Sequence, residues 1–199
     1  MTHRVLYLVR HAEASGPEPD AVLTDVGRRQ ATLLGQRLAD IPFAAIHHSP
    51  WDRAAQTADV IAAHHPGVPV RPSDLLRESI PARPPDERLT AQQAAWLADW
   101  SPDTLADSAA QAAEAVRCFA GRDGEGEREL LVTHGNVVNW FVSRALDAPD
   151  WAWLRMLDYN AALTVILYLP DRVKLVAYND AAHLPTELRG TGYPPEARI

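Results

Sequence analysis

Leu6-Tyr7-Leu8-Val9-Arg10-His11-Ala12-Glu13-Ala14 is the stretch on which the fold turns. Val5 to Val9 is short, apolar and without polar alternation, the pattern of a strand buried on both faces of a mostly parallel sheet. It ends on Arg10 and His11, followed by small residues that a buried strand does not need. In open α/β sheets ligands bind at the carboxyl ends of strands, so two polar side chains delivered there mark a candidate site.

Outward from this stretch the chain alternates. Gly16, Pro17 and Pro19 make the next segment a loop, and Thr24 is a candidate cap for a helix whose stripe is Ala31, Leu34, Leu38 and Ile41. Pro42 ends it. Phe43 to His47 predicts a second strand, and Arg53 to His64 a helix with Arg53 in its first turn, where unpaired N–H groups favour an anion. Val68 to Pro72 predicts a third extended segment. The proline-rich stretch 79–88 predicts an ordered loop, a natural specificity element. Helices are expected over Thr90 to Trp100 and Thr104 to Ala120, then a turn over Gly121 to Gly126. A buried strand, Glu129 to Thr133, ends on His134-Gly135-Asn136, and a helix runs from Val137 to Leu146. Leu163 to Leu169 and Val173 to Tyr178 predict an antiparallel pair. The tail 185–199 carries Gly and Pro and is expected to be irregular. The fold class that follows is an α/β, three-layer αβα sandwich around a mostly parallel sheet, with residues 1–199 forming one domain.

Bulk properties remove several function classes. A net charge of -7 argues against a nucleic-acid partner, which would need a basic face. Cys118 is the single cysteine, so a disulfide framework or thiolate zinc site within one chain is excluded. No apolar run approaches the roughly 20 residues of a membrane-spanning helix. The first apolar run ends at Arg10, too soon for a secretory h-region, and a cytoplasmic protein is expected. His47, His48, His64 and His65 come as adjacent pairs whose rings diverge, and are taken as surface or core residues; neither metal nor cofactor is expected.

A neutral imidazole is a good nucleophile toward phosphorus, and guanidinium forks match phosphate oxygens. Arg10 and Arg53 around a phosphomonoester dianion would spread the charge of a loose transition state and would lower the pKa of His11, keeping it unprotonated. A protonated His134 would add a donor. The leaving alkoxide needs a proton, and Glu78 is the best-placed carboxyl, with Glu13 its competitor two residues beyond His11.

Taken together, Leu8 to Ala14, Leu23-Thr24 with Gly27 and Gln30-Ala31, Ser49-Pro50 with Arg53-Ala54 and Gln56-Thr57-Ala58, Leu76-Arg77-Glu78, and Thr133-His134-Gly135 resemble the histidine phosphatase superfamily, of phosphoglycerate mutase-like fold. The resemblance spans nearly the whole chain in order. Asp74 to Glu78, the turn 134–138, the segment 154–164 and the closing Gly192-Tyr193-Pro194-Pro195 and Ile199 look most like the branch of PGAM-five-type phosphatases and their bacterial relatives. The resemblance implies a phosphohistidine on His11, a phosphate pocket completed by Arg10, Arg53 and His134, and Glu78 as proton donor and later base. Ala12 departs from the glycine of many members, and Gly135 stands where another branch places an aspartate. Asn160 is a further candidate for the phosphate pocket, a turn-forming role being its alternative, and Asn136 a candidate cap for the helix after His134. Trp96, Trp100, Trp151 and Trp153 are expected in core or interface. The function implied is metal-independent phosphomonoester hydrolysis on a phosphorylated small molecule or phosphoprotein; a mutase-type phosphoryl transfer or a non-catalytic phosphate-binding scaffold are the alternatives. Association of copies is left open.

Overall fold

The computed structural model describes residues 3–121 and 125–198. Six strands form one sheet in the order β3-β2-β4-β1-β5-β6: β1 (His3–Arg10), β2 (Ala45–His48), β3 (Val70–Pro72), β4 (Glu125–Thr133), β5 (Leu163–Tyr168) and β6 (Val173–Asp180). β1 pairs parallel with β4, β4 with β2, and β2 with β3, while β5 runs antiparallel to both β1 and β6. The core strand β1 is therefore parallel on one side only. The turn expected over 121–126 falls largely on 122–124, outside the described residues, as does Ile199.

Burial along β1 explains its unbroken apolar run. Val9 packs with α1 (Asp25–Leu38) and α2 (Asp52–Ala62) through Ala31, Leu34, Leu38, Ala54, Ala58 and Ile61. Leu6 and Leu8 face the other way, against α4 (Pro102–Phe119) and α5 (Gly135–Ala145) through Ala115, Phe119, Val137 and Phe141. Helices thus cover both faces, giving three layers. Each fully buried leucine contributes about 1.5–3 kcal/mol relative to an exposed one. The short α3 (Ala91–Ala98) packs Leu97 with Ile80, Trp140 and Trp153 in a smaller cluster at one side.

Helix boundaries follow local chemistry. Thr24 caps α1, accepting the Gly27 N–H at 3.0 Å, and Thr90 caps α3 in a reciprocal box with Gln93. Ser101 accepts the Thr104 N–H ahead of Pro102, which opens α4. The cap of α5 is His134 itself, with no side-chain cap bond; Asn136 lies inside the first turn, where its Nδ2 donates to the Ser79 carbonyl at 3.0 Å. Asn136 thus ties the proline-rich stretch to α5 instead of capping it. That stretch is further anchored by Ile80, which is buried, and by the Trp153 indole donating to the Ala82 carbonyl at 3.0 Å. Arg83 and Arg88 are engaged too, Arg83 with Asp86 at 2.7 Å and Arg88 over the Trp151 ring.

Candidate active site

Three strand ends meet at one sheet edge because their terminal backbone groups bond to one another. The His11 N–H donates to the Thr133 carbonyl at 2.8 Å, and the Ser49 N–H to the Val132 carbonyl at 2.9 Å. Ala161, in the left-handed backbone region at φ 56°, donates to the carbonyls of Arg10 and His11 at 3.0 and 3.3 Å. That conformation costs an alanine roughly 1–2 kcal/mol, here offset by clamping the chain at His11. Asn160 adds a bond from Nδ2 to the His11 carbonyl at 2.9 Å. Its amide holds the peptide of the histidine, while the residue lines the cavity beside it.

The protonation pattern of His11 follows from its partners. Arg53 Nε donates to His11 Nε2 at 3.0 Å, and a guanidinium has no acceptor to offer, so Nε2 carries the lone pair. The proton sits on Nδ1, which donates to the Ala12 carbonyl at 2.8 Å. Burial first, then the charges of Arg10 and Arg53, lower its pKa to about 3, against the Ala12 bond that raises it. The ring is a neutral base at any ordinary pH.

His134 is pushed the same way, towards its neutral form, whereas a donor role towards the transferring oxygens would need it protonated. Arg53 NH2 approaches its Nδ1 at 3.5 Å, and its Nε2 donates to Ser49 Oγ at 2.8 Å. Burial, with His11, Arg53 and Arg10 nearby, holds its pKa well below the usual imidazole value. Its ring stands edge-on to that of His11, centroids 5.1 Å apart.

The two arginines are held differently. Arg53 spends Nε on His11, NH1 on the Glu18 carbonyl at 2.6 Å and NH2 on His134, with its guanidinium 4.7 Å over the Trp51 ring. Arg10 spends NH1 twice, on the Asp158 carbonyl and the Tyr193 hydroxyl, each at 2.6 Å, and its Nε is buried without a hydrogen-bond partner. Pinning NH1 leaves the Nε–NH2 edge, two parallel donors, for an oxyanion.

Glu78 and Glu13 line the same cavity, of about 520 Å³, with Arg10, His11, Arg53 and Asn160. Burial raises the Glu78 pKa to about 7, and Asp158 adds to the rise, while the Ser79 N–H, Arg10 and Arg53 pull it down. Glu13 instead accepts the Thr24 hydroxyl at 2.8 Å, a bond that ties it to the α1 cap. Asp158 is buried against Arg10, its Oδ1 4.0 Å from NH1, and burial raises its pKa as well. Gly135 makes room for it: a Cβ there would lie 2.9 Å from Asp158 Oδ1.

Four participants carry no site role in the sequence reading: Ser49, Trp51, Asp158 and Tyr193. Trp51 follows the Ser49-Pro50 signal directly and stacks edge-on with His134 at 4.8 Å, so its position was readable if not its role. Asp158 and Tyr193 arrive from the far end of the chain, inside stretches that carry the resemblance (154–164 and Gly192 to Pro195), which gave neither of them a role. Trp153 is buried in the core as expected, whereas Trp96 and Trp100 stay 37% and 42% exposed and line the cavity mouth. His47 packs on Phe119 near Glu129, and His65 on Phe43. Among the described residues no group of three or more metal-ligating side chains gathers.

Residues 6–181 match the family described as the histidine phosphatase superfamily (branch 1). The chain is 33% identical over 196 residues to the serine/threonine-protein phosphatase PGAM5, mitochondrial, of Mus musculus and equally to that of Homo sapiens, covering 92% of this chain and 65% of each relative. It therefore spans slightly under two thirds of their length. The solved structure of YhfR from Bacillus stearothermophilus superposes with a TM-score of 0.72 at 28% identity, covering 90% of this chain and 98% of that one.

The cytoplasmic location expected from the sequence is overturned by these relatives, which are named mitochondrial. A missing secretory h-region removes one route only, and an acidic, unremarkable composition carries no compartment address. No helix among the described residues is long and apolar enough to cross a membrane.

Proposed function

We propose, for a chain that belongs to branch 1 of the histidine phosphatase superfamily, that it hydrolyses phosphomonoesters through a phosphohistidine on His11. The observation that carries this reading is the bond from Arg53 Nε to His11 Nε2, which fixes a neutral ring with its lone pair facing the cation-lined cavity. A phosphomonoester dianion enters against the free edge of Arg10. It draws Arg53 away from His11, exchanging an N–H···N bond for a charge-assisted one to phosphate oxygen. Nε2 is then uncovered and attacks phosphorus, the P–N bond forming as the P–O bond to the leaving group breaks.

Arg10 and Arg53 stabilise the charge on the three equatorial oxygens. Glu78, whose pKa of about 7 leaves it largely protonated below neutrality, gives its proton to the leaving oxygen. The carboxylate so formed takes a proton from water as that water attacks phosphorus, breaking the P–N bond and releasing phosphate with His11 neutral and Glu78 protonated again. His134 acts as a neutral neighbour that orients Arg53 through Nδ1 and is oriented by Ser49. Asn160 acts on the His11 backbone. Each electron pair is supplied by the ring or by water, so no metal ion is called on.

Rapid acid–base quench of the enzyme mixed with labelled p-nitrophenyl phosphate tests this. An acid-labile, base-stable phosphoryl adduct on His11, absent in His11→Ala and unaffected by chelator, is the expected result. Steady turnover with no such adduct in single-turnover conditions overturns it.

A further inference from the structure

A second cavity, of about 450 Å³, adjoins the first and shares with it Trp51, Glu78 and Trp100. We propose that this second cavity is a leaving-group chamber, which selects phosphomonoesters whose organic part is apolar or cationic and rejects those whose organic part is anionic. The proposal rests on the phosphatase reading above and adds to it the chemical class of substrate.

The position follows from the geometry of displacement. Attacking nitrogen and leaving oxygen lie roughly in line through phosphorus, so the leaving oxygen is on the side away from His11. It must reach the carboxyl that protonates it, and Glu78 is a wall of both cavities. The organic group attached to that oxygen therefore starts at Glu78 and extends into the second cavity.

What it meets there sets the selection. Trp100 is 42% exposed, an amount of open indole that a core tryptophan does not show, and with Trp51 and Leu75 it makes an apolar wall. Covering it is favourable by roughly 25 cal/mol per Å² of apolar area. The remaining charged walls are negative on balance, Asp74 and Asp107 against Arg77. Arg77 is the cation of this cavity and is already paired with Asp74 at 3.6 Å. Asp107, exposed on α4, has no cationic partner among the described residues. Gln111 spends its amide on the Arg77 carbonyl at 2.9 Å. An anionic leaving group would face Asp107 and the carboxylate that Glu78 becomes, with no free cation to receive it. A cationic one would sit between that carboxylate and an indole face, the arrangement of a cation–π contact.

Trp100 and Asp107 are exposed, so their replacement leaves the core intact. The test measures kcat/KM for four monoesters, methyl phosphate, p-nitrophenyl phosphate, choline phosphate and 3-phosphoglycerate, on the wild type, Trp100→Ala and Asp107→Lys. The wild type is expected to prefer choline phosphate over 3-phosphoglycerate by tenfold or more. Asp107→Lys is expected to shrink that ratio at least fivefold, and Trp100→Ala to lower p-nitrophenyl phosphate turnover several-fold more than methyl phosphate turnover, mainly through KM. Equal efficiency on the cationic and anionic esters, or a ratio untouched by Asp107→Lys, overturns the chamber while the phosphatase reading stands. No hydrolysis of any ester and no phosphohistidine overturns both.

Discussion

His11 is held by Arg53 while Arg10 keeps an unbonded guanidinium edge, and this difference makes single-residue predictions separable. His11→Ala is expected to lower turnover by on the order of 10³-fold or more with an unchanged circular dichroism spectrum, since it removes the group proposed to form the covalent bond. In the proposed role Glu78 gives its proton only while protonated, so kcat/KM should fall as pH rises through about 7. Glu78→Gln should flatten that fall and lower the plateau 10²-fold or more, as read from the pH profile with an alkyl phosphate. Asp158→Asn removes a negative charge that raises the Glu78 pKa, and should move the alkaline limb to lower pH; a limb that stays in place would show that Asp158 does not reach Glu78.

Stability responds to the same groups with opposite signs. Glu78 binds its proton more tightly folded than unfolded, so its contribution is fully present below about 4.5 and is lost as pH rises through about 7. His11, depressed to about 3, contributes above the unfolded value near 6.5 and loses that contribution as pH falls toward 3. Between pH 4.5 and 6.5 the two slopes oppose. In denaturant titrations His11→Ala is therefore expected to be destabilised less than the wild type by a fall from pH 6.5 to 4.

At the scale of elements, the approach of α1 to the loop after β1 depends on one missing side chain. A Cβ on Gly27 would lie 2.0 Å from the Glu13 backbone carbonyl, which also accepts the Thr24 N–H at 3.1 Å. Glycine to alanine inside a helix ordinarily gains about 1 kcal/mol. Here Gly27→Ala must push the capped end of α1 off the loop and should instead destabilise by roughly 1–3 kcal/mol, measured by denaturant midpoint at constant slope. The sequence announces this contact only as a Gly three residues after a Thr cap. What it announces well are the elements themselves, because β1, β2 and β4 end on polar residues that no strand needs and helices follow each of them. What it hides is contact across the sheet edge. Tyr193 meets Arg10 across 183 positions, and Asp158 fills the space Gly135 leaves because β5 returns antiparallel beside β1. No periodicity encodes either. Trp96 and Trp100 have the spacing of a core stripe and a rim alike, and only the neighbouring cavity decides between them.

For the whole molecule, the site is a cationic pocket in a chain of net charge -7, built from strand ends, the first turn of α2 and the C-terminal tail. An anion bound there ties these parts together in the folded state and has no counterpart in the unfolded chain, so it must raise the melting temperature by mass action. At one hundred times its dissociation constant, inorganic phosphate stabilises by about 2.7 kcal/mol, which for a chain of this length is a rise of roughly 5–10 °C. The rise should have a maximum in pH. Acid converts the ligand to its monoanion and weakens its grip on two guanidinium groups, while base removes the Glu78 proton and sets a carboxylate against it, so the largest shift belongs near neutrality. Arg53→Ala should abolish the shift at every pH. Glu78→Gln should keep the shift and prevent its decline above pH 7. Scanning fluorimetry of the three proteins across pH 5–9 measures this directly; a phosphate-induced shift that survives in Arg53→Ala would put the anion somewhere other than beside His11.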